Sequence, residues 1–205
     1  TEEHNHVDLR SFRVLVGNEW LIENGHGGSY LQPTFFSKRR TDINDVNATY
    51  KNTIFINGVG VPPGSETDSE SVVRGDGLYG IRMIATTAMS PDVDATFCGR
   101  LALMVDDAAI VVIDRIQTSG ISRTEARMHS YKNVVFGKNG ALIKGEKESA
   151  RVTYASLEKA GLFSAVTAPA TPTDPSATMI RWCPLMLHKE AVLVMLITPG
   201  RYAAT

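Results

Sequence analysis

No segment of this sequence sustains a helical spacing of apolar residues over several turns, and that constrains the fold more than any motif does. Short runs with apolar residues at every second position recur instead, with Gly, Pro, Asn and Asp between them. In Ser11–Val16, Phe12, Val14 and Val16 point one way and Ser11, Arg13 and Leu15 the other. Gly17-Asn18 supplies a turn before a second apolar run, Glu19–Ile22, so a hairpin is expected. Further strands are expected at Tyr50–Asn57, Gly77–Ala88, Glu148–Leu157, Thr178–Trp182 and Ala191–Thr198. Two more hairpins are signalled. Ala95–Met104 and Ala108–Arg115 flank Asp106-Asp107; Glu125–Phe136 and Ala141–Ile143 flank Gly137–Gly140. Val192–Ile197 is almost wholly apolar, which predicts a central strand. Leu31–Asn47, Val61–Asp76 and Ala168–Ser176 read as loops, Gln117–Arg123 as a polar turn and Glu158–Leu162 as a brief helical turn. The expectation is all-β: one antiparallel two-sheet sandwich over residues 1–205, a length that buries a sizeable core.

Charge excludes some partners. The formal net charge is −1 and no basic run occurs, so neither nucleic acid nor an anionic membrane is an expected partner. No apolar stretch is long enough to span a bilayer. Cys98 and Cys183 both lie in apolar segments and read as buried free thiols, a single bridge in an exported protein being the alternative. Trp20 and Trp182 also lie in apolar runs and read as core. There is no phosphate-cradling glycine loop and no CxxC.

The residues that could carry chemistry crowd the front of the chain. His4, His6 and Asp8 share parity, so in an extended strand they would project from one face. Gly25, Gly27 and Gly28 permit tight turning nearby. Beyond them, Leu31–Asn47 combines Phe35 and Phe36 with Arg39 and Arg40. Aromatic rings beside arginines suit an acidic sugar, because the planar guanidinium fork donates two parallel hydrogen bonds to a carboxylate or sulfate; a solvated basic corner is the plain alternative. His26 reads as a turn residue, His129 as a sheet or core histidine, and His188 has no evident partner.

Three segments carry a resemblance. HNHVDLRSF at 4–12, EWLIENGHGGSY at 19–30 and NTIFINGVG at 52–60 resemble the heparinase II/III-like family of polysaccharide lyases and uronyl epimerases, over roughly the first sixty residues. Beyond them, Leu101–Arg115 resembles that family's strand ending in V-V-x-D-R. The resemblance implies a β-sandwich that is a fragment of a longer protein, preceded by an α/α toroid that carries much of the catalytic machinery. It implies periplasmic or secreted location and an acidic, uronic-acid-containing polysaccharide as partner. Such enzymes cleave by β-elimination: a base takes the proton beside the carboxylate and an acid protonates the leaving oxygen. Carried over, His4 faces the cleft as a catalytic residue and His6 ligates a structural zinc; Tyr30, Arg39 and Arg40 are the candidate substrate contacts beside them.

Two departures weaken the metal site. Where the family has Asp in D-x-G this chain has Asn24, and where it has His before N-T-I this chain has Lys51. A neutral amide is a poor zinc ligand and an ammonium repels the ion. The expectation is therefore that no cofactor is needed and no tight zinc forms, with Lys51 in the metal's place bonding Asn24 or Asp8; a structural zinc on His6 is the alternative. A second reading of the whole chain is a non-catalytic glycan-binding or structural module with a degraded metal site.

Overall fold

A computed structural model describes residues 7–25, 31–89, 91–156, 161–169 and 176–200, with 161–169 and 176 described by backbone alone. Among these the regular structure is fourteen strands and a few short 3-10 turns, without an α-helix. β1 (Val14–Val16) and β2 (Glu19–Ile22) form the expected hairpin. Then come β3 (Ile54–Ile56), β4 (Ser69–Gly75), β5 (Leu78–Ile84), β6 (Ala95–Val105), β7 (Ala109–Ser122), β8 (Thr124–Ser130) and β9 (Asn133–Gly137). β10 (Gly140–Lys144), β11 (Ser149–Ser156), β12 (Gly161–Pro169), β13 (Ser176–Pro184) and β14 (His188–Pro199) complete the set.

Two antiparallel sheets result. The larger has eight strands in the order β4-β5-β6-β7-β14-β11-β10-β9, and the smaller four in the order β12-β13-β8-β3. Period-two patterning puts one face of each strand inward. On β14, Ala191, Leu193, Met195 and Ile197 are buried, and Val112 and Ile116 of β7 join them from the same sheet. Ile54, Ile56, Met128, Ile180 and Trp182 enter this core from the smaller sheet. Tyr154 of β11 and Trp182 of β13 stack across the interior, ring centroids 5.7 Å apart. The β6–β7 turn is built by Asp106 and Asp107, both at positive φ (49° and 50°), the geometry that matches the twist of a two-residue hairpin.

The all-β expectation holds, as does the central place of β14, which lies between β7 and β11. Cys98 and Cys183 are buried thiols outside any disulfide. Several local expectations are corrected. The loop expected at Val61–Asp76 contains β4, a polar and largely exposed edge strand that backbone pairing to β5 makes regular, not burial. Gln117–Arg123 is not a polar turn, because β7 runs on to Ser122 beside β14. Glu125–Phe136 is not one strand: β8 belongs to the smaller sheet, and after Tyr131-Lys132 the chain crosses to the edge of the larger one as β9. Gly161 and Leu162 begin β12, which the sequence does not signal; residues 157–160, expected in a helical turn, lie outside the described residues, as do 170–175 of the proline-rich loop. Trp20 is not core. It is 43% exposed, with the Arg13 guanidinium 5.4 Å from its ring centroid.

Candidate functional site

The described part of the site grows from the chain around Asn52, just before β3. Asn52 is buried and uses every polar atom it has. Its backbone N–H donates to Ser11 Oγ (3.1 Å) and Asn24 Oδ1 (3.0 Å), and its side-chain Nδ2 donates to Phe12 O (2.8 Å). Its Oδ1 accepts from the His129 backbone N–H (2.8 Å) and faces His129 Nδ1 at 3.0 Å. That contact gives the ring its proton on Nδ1. One short side chain thus ties the β1 approach, the Asn24 turn and β8 together, and buried polar groups satisfied in this way fix a single geometry.

Beneath Asn52 lies an ion pair closed to solvent. Arg100 of β6 and Asp114 of β7 face each other bidentately, Nε–Oδ1 2.6 Å and Nη2–Oδ2 2.8 Å, with both side chains fully buried. The remaining Nη1 donates to the carbonyls of Arg10 (2.6 Å) and Asn52 (2.5 Å). Arg10, also buried and at φ 61°, reaches Cys98 Sγ and Met89 Sδ. The sequence did carry a signal for the pair: Asp114 is an acid inside the apolar run Ile110–Ile116, and such an acid needs an inward cation. Asn52 is marked only as the first residue of the NTIFINGVG segment.

His129 is core, as expected. Burial, then the charges of Arg127 and Lys51, hold its imidazole down at about 3, so it is neutral at physiological pH. It stacks on Tyr50, centroids 5.2 Å apart.

The structure separates Arg39 from Arg40, which the sequence presents as a pair. The Arg39 side chain is 75% exposed and bonds Asp42 through Nε at 2.8 Å. Arg40 is 8% exposed, its guanidinium 4.4 Å from the Phe35 ring centroid, and none of its three side-chain nitrogens has a hydrogen-bond partner. His4, His6, His26 and Tyr30 lie outside the described residues. The extended run assumed for His4, His6 and Asp8 does not continue past Asp8, where Ser11 N–H bonds back to Asp8 O and Arg10 takes positive φ.

The two positions that depart from the metal motif are occupied in ways that do not suit a cation. Asn24 Oδ1 already accepts from Ser11 Oγ (2.5 Å) and from Asn52 N–H. Lys51 is buried and donates through Nζ to the Asp45 carbonyl. Burial pulls its ammonium down to about 8, against the opposing pull of Asp45 and Asp8. Among the described residues no three His, Cys, Asp or Glu side chains converge as a metal site.

A last polar device joins the hairpin to the body. The Glu19 carboxylate accepts the backbone N–H groups of Glu146 (2.8 Å), Lys147 (3.0 Å) and Glu148 (3.0 Å) in the β10–β11 turn, and pairs with Lys132 at 2.9 Å. These donors, the Glu146 N–H first and then Lys132, hold its carboxyl down at about 2.

An antiparallel sandwich of eight and four strands, capped by a hairpin and built around a polar buried hub, is the class of domain that this geometry defines. Solved structures then narrow it. A heparinase III structure with methylated lysines superimposes at a TM-score of 0.73, with 10% identity, over 97% of this chain and 30% of its own. A second heparinase III structure gives 0.69 and 11% over 96% of this chain and 30% of its own. A mutant of the heparan sulfate lyase HepC from Pedobacter heparinus gives 0.70 and 12% over 97% and 31%. The chain therefore has the fold of one portion of these lyases and spans about a third of their length. The resemblance seen in the front motifs is borne out at the level of fold. No family model matches the sequence, and no curated protein does. No helix among the described residues is long and apolar enough to cross a membrane.

Proposed function

We propose that this chain is the β-sandwich part of a polysaccharide lyase that cleaves a uronic-acid-containing polymer by β-elimination, working against an α/α toroid in the natural protein. The observation that carries this reading is the heparinase III fold extending over 97% of the chain. In this reading His4 moves a proton at the reacting sugar, since imidazole titrates near neutrality, and Arg39, Arg40 and Tyr30 line the approach of the acidic polymer. Asn52, Arg100 and Asp114 act as positioning residues: they hold the segment from Leu9 to Asn24 against the sheets, and His4 lies shortly before that segment in sequence. The polymer is extracellular in kind, so the protein is proposed to work in the periplasm or outside the cell.

The test uses the full-length natural gene product, offered heparan, alginate, chondroitin and other uronates while the ultraviolet absorbance of the unsaturated product is followed. The expected result is a rise on at least one polymer, abolished in His4→Ala with the fold intact by circular dichroism. No rise on any polymer, or a fully active His4→Ala, overturns the reading.

A further inference from the structure

Arg40 is in a state that a folded chain does not keep for nothing. A guanidinium carries five N–H donors and a charge that no protein pH removes. Here Nε, Nη1 and Nη2 are all closed to solvent and all without an acceptor. The Phe35 face at 4.4 Å offers a cation–π contact, which replaces neither the lost water nor the missing anion. Every other buried arginine of the interior described above has oxygen or sulfur acceptors: Arg100 has four, and Arg10 has Cys98 and Met89.

The surroundings say what would complete it. Phe35 meets Phe36 edge to face, centroids 4.9 Å apart and planes at 80°. Phe36 is 61% exposed, so an open aromatic ring adjoins the ring that carries the guanidinium. A flat apolar face beside a planar two-pronged donor matches a uronic acid residue, whose ring C–H groups are apolar and whose carboxylate accepts two parallel bonds. Arg39, exposed and paired with Asp42, serves the approach to this seat and not the seat itself.

The segment is also built to admit a ligand. Its backbone bonds are short-range turns: Phe35 to Gln32, Ser37 to Thr34, Arg40 to Ser37, Asp42 to Arg39 and Ile43 to Arg40. Among the described residues its backbone ties to other parts of the chain come late, where the Asp45 carbonyl accepts from Lys51 Nζ and the Val46 carbonyl from the Val7 N–H. Turns of this kind open at low cost compared with sheet ladders.

We infer that Arg40 is the receptor for one substrate carboxylate, and that the turns around it give way to let a uronate seat on Arg40 and Phe36. This rests on the lyase reading and names the subsite within it.

The probe is an unsulfated glucuronate-containing tetrasaccharide, compared with its carboxyl-reduced counterpart, binding to the 205-residue chain. Wild type is expected to lose about tenfold or more in affinity on carboxyl reduction, the worth of a charge-assisted bidentate contact. Arg74→Ala, on the exposed edge strand β4, is expected to keep that ratio. Arg40→Met is expected to bind both sugars equally, at the weaker value, and to melt no lower than wild type, because it removes a charge that has no partner. An Arg40→Met protein that still discriminates overturns the inference while leaving the lyase reading intact. So does one that melts well below wild type, which would mean that an acceptor inside the protein or on an adjoining domain already serves Arg40. Wild type binding neither sugar while the full-length protein cleaves polymer overturns the inference alone. Wild type binding neither, with no cleavage, overturns both.

Discussion

Asp114→Asn isolates the buried ion pair. The substitution keeps the shape of the side chain and one acceptor oxygen but removes the charge opposite Arg100, whose Nε and Nη2 lie 2.6 and 2.8 Å from the carboxylate. Both partners are fully buried, so water does not take over the solvation of the orphaned guanidinium. Removing one member of such a pair costs about 3–5 kcal/mol. For a chain of this size that lowers the melting temperature by roughly 6–20 °C, at about 2–4 °C per kcal/mol. With a urea slope of about 2 kcal/mol/M, the midpoint falls by roughly 1.5–2.5 M. Arg100→Met is expected to cost more than Asp114→Asn, since it also leaves the Arg10 and Asn52 carbonyls without their donor, at about 1–3 kcal/mol each. The double variant Arg100→Met with Asp114→Asn carries neither charge of the pair and is expected to be more stable than Arg100→Met alone. Urea melts of the three variants and wild type complete the cycle. A loss under about 1 kcal/mol in Asp114→Asn, or strict additivity in the double variant, would refute the reasoning.

Glu19 ties pH to the docking of the hairpin. Its carboxyl is held at about 2, against an ordinary 4.5, so its contribution is fully present above the unfolded value and is lost as pH falls through the folded one. Glu19→Gln is expected to be less stable than wild type at neutral pH, with the gap closing between about 4.5 and 2; urea midpoints across that window decide it. Lys51 works in the opposite sense. Its pKa falls from 10.5 to about 8, so over that range the unfolded chain keeps a proton that the folded chain has released, and stability rises with pH. Relative to Lys51→Met, wild type is expected to gain up to about 3 kcal/mol between those limits, read from paired thermal melts. Gly80→Ala is expected to cost about 1–3 kcal/mol, because the new methyl would land on the Ala102 carbonyl of the neighbouring strand; an unchanged denaturation midpoint would count against that close approach.

What the sequence makes legible follows from what residues do alone. β14 is readable because Val192–Ile197 is apolar on both parities, and the β6–β7 hairpin because Asp-Asp tolerates positive φ. β4 is not readable: Ser69, Glu70, Ser71 and Arg74 bury little, and only the partner β5 makes the segment a strand. The break between β8 and β9 is hidden for a similar reason, since a chain that changes sheets keeps its alternation through the crossing. At the candidate site two motif positions, Asn24 and Asn52, meet in one polar cluster. The motifs do not distinguish Arg39 from Arg40, because burial under Phe35 is a tertiary fact that two adjacent arginines do not encode.

The place of β14 has a consequence for biogenesis. It is synthesised after every other strand of the larger sheet, yet it sits between β7 and β11. Until it emerges, β4–β7 and β9–β11 are two separate half-sheets, each with a long bare edge of unpaired amides and carbonyls facing the gap that β14 fills. Such edges pair readily with other chains. A newly made molecule is therefore most prone to aggregate just before His188–Pro199 leaves the ribosome, and a factor that shields strand edges would act on it then. A peptide spanning that strand, added in trans, would be the natural competitor for the same gap.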